Sequence, residues 1–447
     1  MCVFFDPNLE HFSRESHNYA ELNKSRQSGR RMSDRKKIYI LGGSQSDFSR
    51  KLNREGKEIS DLFKEVLLAG LEATLLDPQE IETCHVGNFA AELFCGQGHL
   101  GGFFAQSEPA LIGLPAMRHE AACASGSMAI LSATAELEAE RYGLACVLGI
   151  EVMRNQTGEE AARHLGAAAW AGHEFTATPW VWPSVFAEMM ALYDKRYGLD
   201  ESYLSAISQQ NFEHAKLNPN SQTRSWTFTD LHFARGGELN PIIAGRLRRQ
   251  DCSQITDGAA VLFLATEERA KRYAQRRGQS LSDLPYIEGW GHRVTQLGFE
   301  EKLIASEGAP QAHLFPEVHQ CFQDAYRRAG ISGVHEIDGL ETHDCFSITQ
   351  YMAIDHCGLT QPGRSHLAIE EGWTQLGGRF PINPSGGLIG LGHPVGATGV
   401  RMLLDAAKQV RGTAGAYQSE GARRWMTYNV GGSTTTSAVF IVRRGSE

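Results

Sequence analysis

Short apolar runs alternate with longer stretches of helical spacing along this chain. Residues 37–43 (KIYILGG) form a β-branched run closed by glycines and predict a strand. Residues 59–76 (ISDLFKEVLLAGLEATLL) place apolar side chains at helical spacing, with Asp61 near the start, and predict an amphipathic helix. Residues 81–89 (IETCHVGNF) predict another strand. The segment after Cys123 (SGSMAILSATAELEAERYG) predicts a helix that stops at Gly143. Buried-looking strands follow at 144–153 (LACVLGIEVM) and 259–266 (AAVLFLAT).

The second half repeats this order. A strand-like run at 286–294 precedes a helix-like run at 315–330 that ends in Gly330. A strand-like run at 337–344 (IDGLETHD) precedes a glycine-rich turn and an amphipathic helix (GHPVGATGVRMLLDAAKQV). Residues 424–444 read as two strands joined at Gly431 and Gly432. A pattern that recurs in order predicts an internal duplication, and strands alternating with helices predict sheets covered by helices, an α/β fold. Under that alignment the helix opened by Cys123 corresponds to the helix opened by His393. Between the two halves of the first repeat lies an insertion, residues 154–256, rich in Trp, His, Asn and Arg and without a strong strand signal. It predicts a helical cap, and an insertion of this length is more often functional than idle.

Composition narrows the function classes. A chain of 447 residues with a net charge of −9 argues against a general nucleic-acid or anionic-membrane surface. Its 9 cysteines include no CxxC pair, so the expectation is reduced thiols in a reducing compartment. No apolar run is long enough to span a bilayer. Residues 1–36 are polar, carry no signal-peptide apolar core, and read as an extension, with Met32 a candidate start. The chain ends Gly-Ser-Glu rather than in a peroxisomal tripeptide, so the expected location is the cytoplasm.

Four segments carry candidate chemistry. Cys123 sits at a predicted helix N-terminus, where the helix dipole favours the nucleophilic thiolate; taken alone, a packed core thiol is the favoured reading. In NPSGGLIGLGHPVGATG, glycines 386, 387, 390, 392, 396 and 399 let backbone approach a ligand, and His393 could take a thiol proton or donate to an oxyanion. No Gly-Lys-Ser/Thr follows, which excludes a phosphate-binding P-loop. ETHDCFS sets His343, Asp344 and Cys345 at the end of a predicted strand, where α/β sites gather. A zinc site there needs more convergent ligands than the segment supplies, so no metal is expected. NVGGS offers Asn429 and the backbone around Gly431, either half an oxyanion hole or a tight turn.

Together, CASG at Cys123, HDCF at His343, GHP at Gly392 and NVGG at Asn429 resemble the thiolase superfamily, in the family's order, from about Lys37 to about Arg443. TDGAA (256–260) resembles the family's return from its loop domain. Many thiolases carry Asn-Glu-Ala-Phe at 343–346 and a catalytic cysteine at 429. Exchanging both together is similar to the sterol-carrier-protein-type thiolases, in which the cysteine of HDCF takes over acid/base work.

The resemblance implies a duplicated fold of two similar mixed-sheet halves in αβαβα layers. The N-terminal half would span 37–153 plus 257–275, the loop domain 154–256 and the C-terminal half 276–447. It implies a coenzyme A-dependent acyltransferase working on 3-ketoacyl-CoA through a Cys123 acyl-enzyme, with Cys345 moving the α-proton. His343 and His393 would form one oxyanion hole, and the N–H groups of Cys123 and Gly431 the other. Coenzyme A thioester is then substrate, with no resident cofactor, and a homodimer or homotetramer is expected. Two alternatives stay open: acylation of a small molecule other than a thioester, and a non-catalytic subunit that binds coenzyme A.

Overall fold

The computed structural model describes residues 36–307 and 313–445. The expected extension lies, but for Lys36, outside the described residues.

Nine strands form one mixed sheet: β1 Ile38–Gln45, β2 Thr83–Gly87, β3 Ala116–His119, β4 Leu144–Glu151, β7 Gly258–Thr266, β8 Pro285–Val294, β9 Leu340–Thr342, β10 Arg424–Gly431 and β11 Thr436–Arg444. A separate ribbon pairs β5 (Ile242–Ala244) with β6 (Leu247–Arg248). The helices used below are α1 Ile59–Thr74, α2 Ser125–Glu138, α3 Gly158–Leu165, α4 Val181–Tyr197, α5 Ser202–Ala215, α6 Glu267–Arg276, α7 Phe299–Glu307, α8 Pro316–Ala329, α9 Ser347–His356 and α10 Thr398–Arg411.

The sheet order, β3-β2-β4-β7-β1-β8-β11-β10-β9, is a palindrome of the predicted repeat. Strands β2, β4, β7 and β1 correspond to β9, β10, β11 and β8, and β3 is an added edge strand of the first half. In each half a parallel pair (β2–β4, β9–β10) is followed by antiparallel neighbours, and in the first half β3 adds a second parallel pair with β2. The halves are not separate sheets. They join through β1 and β8, which share only Ile38↔Ile287 and Tyr39↔Tyr286.

Alternation along the strands builds the layers. Ile38, Ile40, Val147, Leu262 and Leu264 of the first half, with Phe440 and Val442 of the second, face one shared core that contains Ile130, Leu137, Leu403 and Val410 of α2 and α10. The opposite face of the first half, through Leu41, Leu148, Val261 and Phe263, packs on α1. The opposite face of the second half, through Tyr428, Val430 and Ile441, packs on α8 and α9. Helices therefore cover both faces and fill the middle.

The central helices meet through matched glycines. A Cβ on Gly126 would stand 2.7 Å from the Gly396 carbonyl oxygen, and one on Gly399 would stand 2.8 Å from Asn429 Oδ1. Cys123-Ala124-Ser125-Gly126 thus corresponds to Gly396-Ala397-Thr398-Gly399. The repeat partner of Cys123 is Gly396 rather than His393, because α2 starts at Ser125 and α10 at Thr398. The first helix also ends earlier than the glycine at 143 predicts, at Glu138, with Glu140 turned into the left-handed region at φ 57°.

The insertion is helical, as expected, through α3, α4 and α5, and adds the β5–β6 ribbon. Its two ends meet at Asp257, whose carboxylate accepts from the N–H groups of Met153 (2.8 Å), Arg154 (2.7 Å) and Leu52 (3.1 Å).

Candidate active site

Cys123 lies in a 3-10 turn, Ala122–Ala124, between β3 and α2. Ala122 adopts φ 50°, an uncommon conformation for a residue with a Cβ and a frequent mark of functional turns. Ser125 fixes the turn. Its hydroxyl donates to the Ala122 carbonyl (2.6 Å) and accepts from the Ala121 N–H (3.0 Å). The sulfur is thereby lifted toward a cavity of about 1020 Å³, which Cys123, His343, Cys345, His393 and Gly432 all line.

Asn429, on β10, organises the turn from below. Its amide nitrogen donates to the Cys123 carbonyl (3.2 Å) and to His343 Nδ1 (2.9 Å), and its oxygen accepts from Ser127 Oγ (2.7 Å). Because Nδ1 of His343 accepts, the proton of that neutral ring sits on Nε2. His393 is set the opposite way. Thr398 Oγ1 gives its proton to the Pro394 carbonyl (3.0 Å), so it accepts from His393 Nδ1 (2.7 Å). His393 Nε2 is buried and without a hydrogen-bond partner, a free lone pair. The two rings meet edge to face, centroids 5.0 Å apart.

Burial holds both rings neutral. It pushes His393 down to about 3, helped by the nearby Arg401 cation, and holds His343 well below the usual imidazole range, helped by His393 and Arg401. Burial likewise pushes the Cys123 thiol up to about 12; the Glu151 carboxylate adds to this and a hydrogen bond from the Gly432 backbone opposes it. The resting pair is thus thiol and neutral imidazole. The thiolate expected from the helix dipole does not form, since Cys123 precedes α2 and desolvation outweighs the dipole.

Cys345 follows β9 and is 7% exposed, 3.8 Å from Thr349 Oγ1. Burial and the neighbouring Cys123 raise its pKa well above that of a free thiol. Asp344, between His343 and Cys345 in sequence, does not line the cavity. Its oxygens accept from Leu388 N (2.6 Å), Ile389 N (3.1 Å) and Asn211 Nδ2 (2.7 Å), anchoring the glycine-rich loop. Gly387 is required there, at φ 61°, because a Cβ would strike the Asp344 carboxylate. Thr256 Oγ1 accepts from the His393 backbone N–H (2.9 Å), which ties the TDGAA segment to the histidine.

Gly431 ends β10 against the Ala121 carbonyl, beneath the Cys123 turn, where a Cβ would collide, and it is not among the residues that line the cavity. The next glycine, Gly432 at φ 65°, lines the cavity together with Cys123, and its backbone acts to lower the thiol pKa. The sequence points to Asn429 but hides Ser127 and Thr398, whose roles appear only once β10 and the two helices converge.

One ligand atom each of Cys123, His343 and His393 lie within 4.8 Å of one another, a spacing compatible with a metal ion. The donor set does not fit one. The Asn429 amide occupies Nδ1 of His343 and leaves its Nε2 protonated, so only Cys123 and His393 have an electron pair to offer.

Residues 38–222 match the family model for the thiolase N-terminal domain, and residues 308–444 match that for the thiolase C-terminal domain-like family. An acetyl-CoA acetyltransferase of Methanothermobacter thermautotrophicus is 30% identical over 411 residues, covering 91% of this chain and 99% of that protein. Sterol carrier protein 2 of Gallus gallus is 27% identical over 89% of this chain and 70% of that protein. The solved Ltp2-ChsH2(DUF35) aldolase superposes with a TM-score of 0.70 at 19% identity, covering 92% of this chain and 99% of that one. The chain therefore belongs to the thiolase superfamily and is a coenzyme A-dependent acyltransferase.

Proposed function

We propose that the chain forms and cleaves 3-ketoacyl-CoA through an acyl group carried on Cys123. One observation carries this reading: His393, with a free lone pair on Nε2, and His343, with its proton on Nε2, each bring a ring nitrogen within 4.8 Å of the Cys123 sulfur in a single cavity. His393 takes the thiol proton as sulfur attacks the thioester carbonyl, and the Cys123–acyl bond forms. The Gly432 N–H faces the charge that develops. Coenzyme A leaves and recovers the proton from His393. The carbonyl of a second thioester then accepts from His343 Nε2–H while its α-carbon gains or loses a proton at Cys345. Held as a neutral thiol, Cys345 is ready to protonate that carbon in cleavage, and by reversibility accepts the proton in condensation.

The tautomers divide work that the resemblance assigns jointly: His343 donates to the oxygen and His393 is the base. Arg249 lines the cavity and is exposed, its guanidinium without a partner among the described residues, and Trp226 and His232 line the same cavity. These supply a cation and stacking faces for the phosphates and adenine of coenzyme A. No resident cofactor enters this scheme. A panel of 3-ketoacyl-CoAs and acetyl-CoA, followed by release of free coenzyme A, tests it. Consumption of none of them overturns it, and acyl transfer to a non-thioester alone supports the alternative acceptor.

The remaining properties are also proposals. β3 is a sheet edge whose Ala116 and Met117 are exposed, a surface suited to a second copy and hence to a homodimer or homotetramer. Met117→Arg, followed by light scattering, should give monomers. All eight described cysteines are free, which supports the cytoplasm. Among the described residues no helix is long and apolar enough to cross a membrane.

A further inference from the structure

Lys302, on α7, is 3% exposed and no carboxylate lies within ion-pair distance of it among the described residues. Its ammonium instead donates to the Ser433 carbonyl (2.9 Å), Ser433 Oγ (2.5 Å) and Thr435 Oγ1 (2.8 Å). Glu174 and Glu301 act on it only from farther away, and burial lowers its pKa to about 8. A lysine in this state is rare unless it has a task.

The three acceptors belong to the turn between β10 and β11. That turn holds two left-handed residues, Gly432 at φ 65° and Thr434 at φ 68°. The second is β-branched, for which this region is a strained conformation, and its hydroxyl is buried without a partner. Such a turn persists only where its surroundings over-determine it. The ammonium does this with three bonds from one side. Gly432 in the same turn lines the cavity together with Cys123, and its backbone acts to lower the thiol pKa.

We propose that Lys302 is a positioning residue that holds the β10–β11 turn so that the Gly432 N–H bears on the Cys123 sulfur. Its relevance to catalysis rests on the acyl-enzyme reading, in which that N–H faces the developing charge. Stabilising a sulfur anion is a property of the thiol itself, so it can be measured without acyl transfer.

The test is the rate of Cys123 alkylation by iodoacetamide across pH, read by peptide mass spectrometry on the full chain. Lys302→Met should raise the apparent Cys123 pKa by about one unit and slow alkylation about tenfold at fixed pH. Lys302→Arg, which keeps a cation and its donors, should stay within about threefold of the wild type. Thr435→Val keeps the lysine and removes one of its three acceptors, so it should shift the profile the same way by a smaller amount. This milder variant also answers the question should Lys302→Met not fold. Cys95, partly exposed, serves as the internal control. An unchanged Cys123 profile in a folded Lys302→Met or Thr435→Val protein overturns the proposal, as does an Arg variant as slow as the Met variant. A wild-type chain that alkylates in this way yet takes up no acetyl group from acetyl-CoA overturns the acyl-enzyme reading instead, and leaves the Lys302 result standing.

Discussion

Replacing Asn429 by Asp changes one atom and reverses a proton. Asn429 is 1% exposed, and its amide nitrogen forces His343 to carry its proton on Nε2. A carboxylate at 429 accepts rather than donates, so His343 must protonate at Nδ1 and present a bare Nε2 to the cavity. The Ser127 hydroxyl still has an oxygen to bond (2.7 Å in the native arrangement), whereas the bond to the Cys123 carbonyl (3.2 Å) is lost. Two magnitudes follow. The lost bond to Cys123 costs about 1 kcal/mol, so acylation slows by no more than about tenfold. The step that forms or breaks the carbon–carbon bond loses a preorganised donor, about 3–4 kcal/mol or roughly 10²–10³ in rate. The negative charge that Asn429→Asp places beside a forming oxyanion acts in the same direction. Rapid-quench separation of the two half-reactions reads both numbers: acyl-enzyme by intact mass, product by chromatography. An equal fall in both steps, or a carbon–carbon step within about threefold of wild type, would refute the assignment of His343 as the donor.

Other consequences are independent of that one. Gly399→Ala pushes a methyl group toward Ser127 and Asn429 Oδ1 and should destabilise by about 2–3 kcal/mol in urea unfolding, whereas Gly412→Ala, left-handed at φ 73° with open space around it, should cost about 1 kcal/mol. Burial lowers His393 to about 3 and His85, His119 and His313 to about 4. Through these histidines the unfolded chain binds more protons than the folded one below about pH 6.5; the buried carboxyls Glu151 and Glu341, raised to about 7, and Asp344, raised to about 6, oppose this, and with the histidines in the majority the melting temperature should fall from pH 6.5 to about 4.5. Over the same range the acylation rate should lack the acid limb near pH 6.5 of an ordinary histidine base; such a limb would contradict the free, neutral His393. Arg249→Ala should raise KM for acyl-CoA several-fold with little change in kcat, and an equal loss in both would place Arg249 elsewhere in the reaction.

The repeat was legible because strand runs, helix runs and glycine closures recur in the same order, and the sheet palindrome is their consequence. The residues that the fold gathers around Cys123 were singled out by their motifs. What the motifs conceal is direction. Nothing in GHP or HDCF says which ring nitrogen carries the proton. That depends on Thr398 and Asn429, which lie 5 residues after His393 and 86 residues after His343 and reach them through the fold. Register is concealed too. Cys123 reads as the start of a helix, but the turn at Ala122 places it ahead of Ser125, and desolvation there keeps the thiol protonated. Gly431 and Gly432 are indistinguishable as letters. The packing of Gly431 on Ala121 decides which of them turns toward the cavity. Asp344 sits within a reactive-looking tripeptide yet spends its carboxylate on the loop at Leu388 and Ile389.

The central claim is that Cys123 carries the acyl group. Intact-mass and peptide mass spectrometry after mixing with acetyl-CoA tests it most directly. A single acetyl adduct on the peptide containing Cys123, lost in Cys123→Ala and released by coenzyme A, is the predicted result. No adduct on the wild-type chain, or one that persists in Cys123→Ala, contradicts it.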